Sequence, residues 1–267
     1  MKLTDLIVLI KGGGEQASGV AHRLFRSNFK ICITEISNPR AVRRGVAFCE
    51  AVYEEEKEVE GVVTKLIESE EKVFEVWEEN KIPLLVDPRA SIKDFLKPDI
   101  IVDAVMAKRN LGMTGITDAS LVIALGPGFR AGKDAHLLVE TNRGHNLGRL
   151  ILKGEAEKYT GVPGTVGGFS VERVFRAPKA GRFISCRKIG DYVQKDEVVG
   201  EVEDYEVIVK IKGVLRGLIR DGTEVWEGLK LGDVDSRGDK NACYSISDKA
   251  RAIAGGVLEG ILMNFNR

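Results

Sequence analysis

The densest run of polar and charged side chains lies between residues 107 and 149. It carries Lys108, Gly126-Pro127-Gly128, His136, Glu140, Arg143 and His145, and so two of the chain's three histidines. Lys108 and Arg143 are cations suited to a phosphate or another oxyanion. Gly126 and Gly128 either offer backbone N–H groups to that anion or only turn the chain. His136, Glu140 and His145 are candidate acid–base groups. The three lack the spacing of known zinc motifs, so no metal site is expected. No glycine–serine nucleophile elbow or Ser-His-Asp order is present.

A second chemical signal lies near the start. Residues 6–10 form an apolar run of the kind a strand buried on both faces requires, and Gly12, Gly13 and Gly14 follow almost at once. Residues 15–29 have helical spacing, with Ala17, Val20, Ala21, Leu24 and Phe25 on one face. Gly12-x-Gly14-x-x-Ala17 fits the relaxed dinucleotide fingerprint. In that pattern one glycine makes the turn, a second lets a phosphate approach the backbone, and a small third residue lets helix sit on strand. Glu35 stands twenty-one positions after Gly14, where an acid meets a ribose hydroxyl. Arg40, Arg43 and Arg44 just beyond it suit a 2′-phosphate instead, so NAD and NADP both stay open. The same arginines also read as the exposed face of a helix.

These residues need a scaffold. Strand patterns recur at residues 30–34, 61–67, 82–86, 99–102, 121–125 and 137–139. Helical patterns stand between them at residues 41–50, 69–80 and 92–96. Alternating strands and helices predict a Rossmann-like, doubly wound parallel sheet over residues 1–165. Ligands of such sheets bind beyond the carboxyl ends of the strands. The glycine turn, Glu35, Asp87, Asp103 and the Gly126 loop each follow a strand and would line that edge. His22 falls off the apolar face of its helix and is expected to be exposed.

The pattern then changes. Residues 161–170 are uncharged and glycine-rich, as in a linker or crossing loop. Beyond them two stretches align at an offset of 32: Gly181, Gly190 and Gly200 match Gly213, Gly222 and Gly232, and Phe183, Val193, Val199 and Val202 match Leu215, Val225, Leu231 and Val234. Residues 171–240 therefore resemble the β barrel-sandwich domain of biotinyl and lipoyl carriers. The joint between repeats reads Glu203-Asp204-Tyr205-Glu206, without the lysine those carriers modify, so a docking or scaffold module is expected. Asp233 and Asp235 read as surface turn acids, with cation binding the alternative. Residues 241–267 hold a helix that starts at Ser247 as N-cap and packs back on the core. Gly255-Gly256 inside it implies a close approach.

Forty basic and forty acidic side chains cancel, so no nucleic-acid footprint is expected. The acidic stretches 54–60 and 68–71 read as solvated faces. Cys32, Cys49, Cys186 and Cys243 are scattered without metal or redox spacing, which favours a reducing cytoplasm. No signal peptide and no apolar run of membrane-spanning length is seen. A neutral chain of this size is compatible with a homodimer.

Seven stretches together resemble one family over nearly the whole chain. They are LIKGGGEQASGVAHRL (residues 9–24), TEISNPRAVRRGVAF (34–48), DAVMAKRN (103–110), LGPGFRAGKDAH (125–136), VETNRGHNLGR (139–149), GDVDSRG (232–238) and SISDKARAIAGGVLEGIL (245–262). The chain resembles the YqeB-type proteins, accessory factors of selenium-dependent molybdenum hydroxylases. One departure is Glu15, where the family is expected to carry Asp. The resemblance implies a role in maturing or inserting the molybdenum cofactor of a hydroxylase of xanthine dehydrogenase type, with the hydroxylase apoprotein as partner. It implies a distant kinship to the XdhC chaperones, which hold that cofactor. Carried over position by position, the site comprises Gly12, Gly14, Glu35, Lys108, Gly126, Gly128, His136, Glu140, Arg143 and His145. A molybdopterin presents a phosphate and an oxyanionic metal centre, which the glycine turn and Lys108 or Arg143 would meet. Two other readings stay open: an NAD(P)-dependent oxidoreductase, and a non-catalytic scaffold for a hydroxylase.

Overall fold

The computed structural model describes residues 2–266. In chain order the regular elements are β1 (Ile7–Lys11), α1 (Glu15–Phe25), β2 (Lys30–Glu35), α2 (Ala51–Glu54), β3 (Glu56–Val59), β4 (Val62–Ile67), α3 (Lys72–Glu78), β5 (Ile82–Val86), α4 (Lys93–Leu96), β6 (Ile100–Asp103), β7 (Leu121–Leu125), β8 (Arg130–Ala131), β9 (Leu137–Val139), β10 (Leu150–Ile151) and β11 (Gly154–Glu155). They continue with β12 (Val174–Arg176), β13 (Gly181–Ser185), β14 (Tyr192–Val193), β15 (Val198–Val202), β16 (Tyr205–Ile208), β17 (Gly213–Leu218), β18 (Glu224–Val225), β19 (Lys230–Asp235) and α5 (Asp248–Phe265). Two compact units result. The first comprises Met1–Pro39, Ala47–Tyr159 and Ile246–Arg267, and the second Arg40–Val46 and Thr160–Ser245. Helix α5 thus belongs to the first unit.

The first unit is built on a nine-stranded sheet of order β10-β9-β7-β6-β1-β2-β5-β4-β3. Apolar side chains alternate along the strands to both faces. Leu9, Cys32, Ile101, Val122 and Ala124 pack with Val73 and Val76 of α3, with Ile92, and with Phe129. The opposite face takes α1 and α5, which also pack on each other. Their approach is close: a Cβ at Gly19 would lie 2.8 Å from the Ala250 Cβ. One at Gly256 would strike the Gly148 carbonyl, which explains that glycine within the helix. Ser247 caps α5, its hydroxyl accepting from the Ala250 N–H at 3.2 Å.

The doubly wound expectation is corrected here. The sheet is mixed, because β3 and β10 pair antiparallel at its two margins. After β2 the chain lays down β3 and β4 on the outside and only then returns to insert β5 beside β2. The crossings from β6 to β7 and from β7 to β9 carry no helix. Hydrophobic periodicity identifies strands one at a time and says nothing of their order. The helix expected over residues 41–50 is also absent. Arg44–Val46 and Phe48–Glu50 are single 3₁₀ turns, and Val42 instead accepts the Leu218 N–H at 2.8 Å in the second unit. The acidic stretch 54–60 supplies edge strand β3, whose charges guard an open edge. His22 is buried, with Nε2 3.3 Å from the Glu60 carbonyl at the β3–β4 turn.

The second unit holds two four-stranded antiparallel sheets, β12-β19-β17-β14 and β16-β15-β13-β18. The repeat is visible strand for strand: β13, β14 and β15 correspond to β17, β18 and β19. Phe183, Leu215, Val193, Val225, Val199, Leu231, Val202 and Val234 fill one core. The biotinyl/lipoyl barrel-sandwich expectation is nevertheless corrected. Strand β12, from outside the repeat, pairs with β19, and the unit incorporates Arg40–Val46 from the other half of the chain. Asp233 and Asp235 are not surface acids, being 2% and 1% exposed. Arg173 and Lys230 bind Asp233, and Arg216 and Arg237 bind Asp235. Among the described residues, no helix is long and apolar enough to cross a membrane.

Candidate functional site

The carboxyl edge of the large sheet gathers most of the residues singled out above. The glycine turn sits there and is closed by the chain itself. Gly12 has φ +92° and donates its N–H to the Thr34 carbonyl at 2.8 Å. The Gly13 N–H donates to Glu35 Oε2 at 2.8 Å, and Glu35 Oε1 accepts from Ile36 at 2.8 Å. The acid expected at a ribose therefore ties down the turn. Burial raises the Glu35 pKa, while these two N–H groups pull the other way. Across the turn the Cys49 N–H donates to the Gly13 carbonyl at 2.8 Å, and the Phe48 N–H to Ser18 Oγ at 2.8 Å. A Cβ at Gly13 would lie 2.9 Å from the Cys49 nitrogen, whereas one at Gly14 would meet nothing within 4 Å.

Beside the turn is a buried polar cluster at the ends of β1 and β6. Lys11, 3% exposed, donates to the Met113 carbonyl at 2.5 Å and to Thr114 Oγ1, and its Nζ lies 3.8 Å from Asp103 Oδ2. Thr114 in turn donates to Asp103 at 2.6 Å. Burial lowers the Lys11 pKa, and the Asp103 charge opposes that shift. Asp87 accepts the Ile92 N–H at 2.9 Å and shapes the start of α4. Gly126 and Gly128 both have positive φ and close approaches, to the Thr141 side chain and to the Arg109 backbone. Their glycines lock two loops together.

Next to these loops cations collect. Lys108, in the left-handed region at φ +64°, has its Nζ 5.2 Å from the Tyr159 ring centroid. It is open to solvent on one side, and the protein mass on the other lowers its pKa. Lys249, in the first turn of α5, is pushed down to about 8 by burial and by the nearby Lys108 and Arg143 charges, with Glu15 and Glu140 opposing. Arg143 makes a two-point pair with Asp248, at 2.7 and 2.8 Å. Two lysines and an arginine here share one neighbourhood with Glu15, Glu140 and Asp248 and with the first turns of α1 and α5.

The remaining candidates have other duties. Glu140, 2% exposed, accepts three backbone N–H groups at 2.7 Å, from Thr141, Asn142 and Glu157. It organises the loop after β9. His136 lies at the opposite end of that strand, four residues or roughly 13 Å away. Its Nδ1 accepts the Val122 N–H at 3.0 Å. His145 is exposed on the loop that Glu140 organises. The three acid–base candidates are therefore not brought together. Arg43 is placed in the second unit, where it donates to the Ala242 carbonyl at 3.0 Å.

A scan against family models finds no match. Among curated proteins, the chain is 47% identical over 257 residues to the uncharacterized protein YqeB of Escherichia coli K12. The match covers 96% of this chain and 47% of that protein, so the chain spans about half the length of its relative. Solved structures give only faint likenesses. An aspartoacylase family protein from Mesorhizobium loti is 14% identical over 86% of this chain and 85% of its own, at a TM-score of 0.28. The ectoine utilization protein EutE (DoeB) from Ruegeria pomeroyi is 12% identical over 86% and 85%, at 0.26. Scores this low carry no argument about chemistry.

Two site residues escape sequence reading. Lys11 looks like the polar end of a strand, and only the fold buries it against Asp103. Lys249 did leave a signal: a lysine in the first turn of a capped helix opposes the helix dipole, which calls for an anion nearby.

Proposed function

We propose that this protein is an accessory factor in the maturation or insertion of the molybdenum cofactor of a molybdenum hydroxylase, of the selenium-dependent type. In this reading the first unit holds the phosphorylated, oxyanionic pterin through Lys108, Lys249 and Arg143. The observation that carries the reading is the Lys108–Lys249 pair. Burial, and then the Lys108 charge, lowers the Lys249 pKa, and a bound anion would offset both costs. The sequence resemblance supplies the identity of that anion, and the relationship to YqeB supports the resemblance. The partner is the hydroxylase apoprotein, and the setting is cytoplasmic.

The dinucleotide alternative loses support at the glycine turn, where the Glu35 carboxylate, expected at a ribose, takes the Gly13 N–H instead. The test is anaerobic titration with isolated molybdenum cofactor. Lys108→Ala and Lys249→Ala should each weaken binding about tenfold, the worth of one charge-assisted hydrogen bond. Equal affinity in both variants and the parent would remove the site assignment. Co-purification of the parent with a hydroxylase apoprotein tests the partner.

A further inference from the structure

A separate cationic cavity lies wholly in the first unit, at the far end of α1 from the glycine turn. It is open to solvent and holds about 290 Å³, at the small end of the range for ligand pockets (~300–1,000 Å³). Its ionisable walls are His22, Arg23 and Arg26 at the end of α1, Glu60 at the β3–β4 turn and Arg251 of α5.

Three guanidinium groups meet one carboxylate here. Glu60 is spent on Arg251: its two oxygens accept from Arg251 Nη2 at 2.7 and 2.8 Å, and Oε1 also takes the Ile246 N–H at 2.8 Å. Arg251 Nε donates to the Ile246 carbonyl at 3.2 Å, so the guanidinium is fixed while its Nη1 has no acceptor among the described residues. Arg23 makes one long hydrogen bond, from Nη2 to the Arg251 carbonyl at 3.4 Å. Neither Arg23 nor Arg26 has a carboxylate partner among the described residues. His22 adds no charge, because burial lowers its pKa against the pull of Glu60. The carboxyl end of a helix welcomes cations, which accounts for Arg23 and Arg26. It does not account for a third arginine, from another helix, held in place at the same cavity.

We propose that this cavity binds a small phosphate monoester, with the phosphate among Arg23, Arg26 and Arg251 and the carbon skeleton against Ile246 and Leu258, which complete the walls. Two positive charges stay unanswered, and a phosphate monoester carries about −1.5 to −2 near neutral pH. Guanidinium groups present paired donors that suit phosphate oxygens, and one held in place in advance loses little freedom on binding. The site is distinct from the Lys108–Lys249 cluster. Helix α1 brings its first turn to that cluster and its last turn to this cavity, roughly 15 Å apart. Lys249 and Arg251, two residues apart, do not share a face of α5.

The experiment uses the full chain carrying Lys108→Ala/Lys249→Ala, which silences the other cationic site, with glycerol 3-phosphate as probe in calorimetric titration. Saturable binding is expected. Adding Arg23→Gln or Arg26→Gln should weaken it about tenfold in each case. Arg26 is exposed, so Arg26→Gln should fold as the parent does. Bound probe should also shield Arg23, Arg26 and Arg251 from phenylglyoxal, read by mass spectrometry of the digested protein. No binding by the double lysine variant, unchanged affinity in either glutamine variant, or shielding only at other arginines overturns the proposal. Tighter binding of succinate than of glycerol 3-phosphate overturns the choice of phosphate. None of these results touches the pterin reading, which fails or stands on cofactor titration of the Lys108 and Lys249 variants.

Discussion

The glycine turn and the Lys108–Lys249 cluster lie on the same edge of one sheet and are built in opposite ways. At the turn the Gly13 N–H goes to Glu35, the Gly13 carbonyl takes the Cys49 N–H, and the space beside Gly13 is filled by the Cys49 backbone. At the cluster, burial and then the Lys108 and Arg143 charges lower the Lys249 pKa, against Glu15 and Glu140. Glycine spacing therefore reports a close approach without saying what approaches. Here it is the chain's own backbone. Two half-buried lysines side by side are the feature that suits a ligand.

The largest effect belongs to the closed side. Asp103→Ala leaves the Lys11 ammonium buried without its counter-charge. It should cost about 3–5 kcal/mol in urea unfolding, while pairing it with Lys11→Met should recover much of the loss. An Asp103→Ala protein as stable as the parent would mean that this edge is more open than described. Next, Gly13→Ala should cost about 1–3 kcal/mol by overpacking against Cys49. Gly14→Ala should cost under about 1 kcal/mol, because its Cβ enters open space and only the helix cap suffers. Were Gly14→Ala instead to abolish ligand binding at full stability, the turn would be a phosphate cradle and the contrast would collapse.

The open side is sharpened by pH. The Lys249 pKa is lowered from 10.5 to about 8, so the folded protein gives up this proton first. Between about pH 8 and 10.5 the unfolded chain binds more protons, and the Lys249 contribution to stability rises with pH. Anion affinity runs the other way: it should fall as pH rises through about 8, while Lys108, Arg143, Glu15 and Glu140 set the midpoint. Titrations from pH 7 to 9 should show this step in the parent and not in Lys249→Met; an unchanged step in that variant would exclude Lys249 as its source. The smallest effect is expected from Asp248→Asn, which removes the carboxylate paired with Arg143. Because that pair is partly exposed, oxyanion affinity should rise only a few-fold. A fall in affinity would show that Asp248 holds Arg143 in position rather than competing for it.

Much of the first unit was legible in the sequence because its strands are short apolar runs. Residues 82–86 and 121–125 are strands β5 and β7 as read, and the Ser247 cap starts α5. What the sequence did not carry was order and burial. The insertion of β5 beside β2, the departure of Arg40–Val46 into the second unit and the edge strand β3 all depend on distant partners. Lys108 and Arg143 were singled out by charge and location, and the structure sets both near Lys249. The separation of His136 from Glu140 follows from strand direction, which places them at opposite ends of β9. Glu35 was found for the right reason, an acid after a strand beside a glycine turn, but its carboxylate serves the turn.

Anaerobic equilibrium binding of the purified full chain to isolated molybdenum cofactor, NAD, NADP, ATP and CTP tests the central claim most directly. The account predicts saturable binding of the molybdenum cofactor that weakens in Lys108→Ala and Lys249→Ala, with no dinucleotide bound at roughly millimolar concentration. Tight binding of NAD or NADP that a bulky residue at Gly14 abolishes, with no affinity for the molybdenum cofactor, would contradict it.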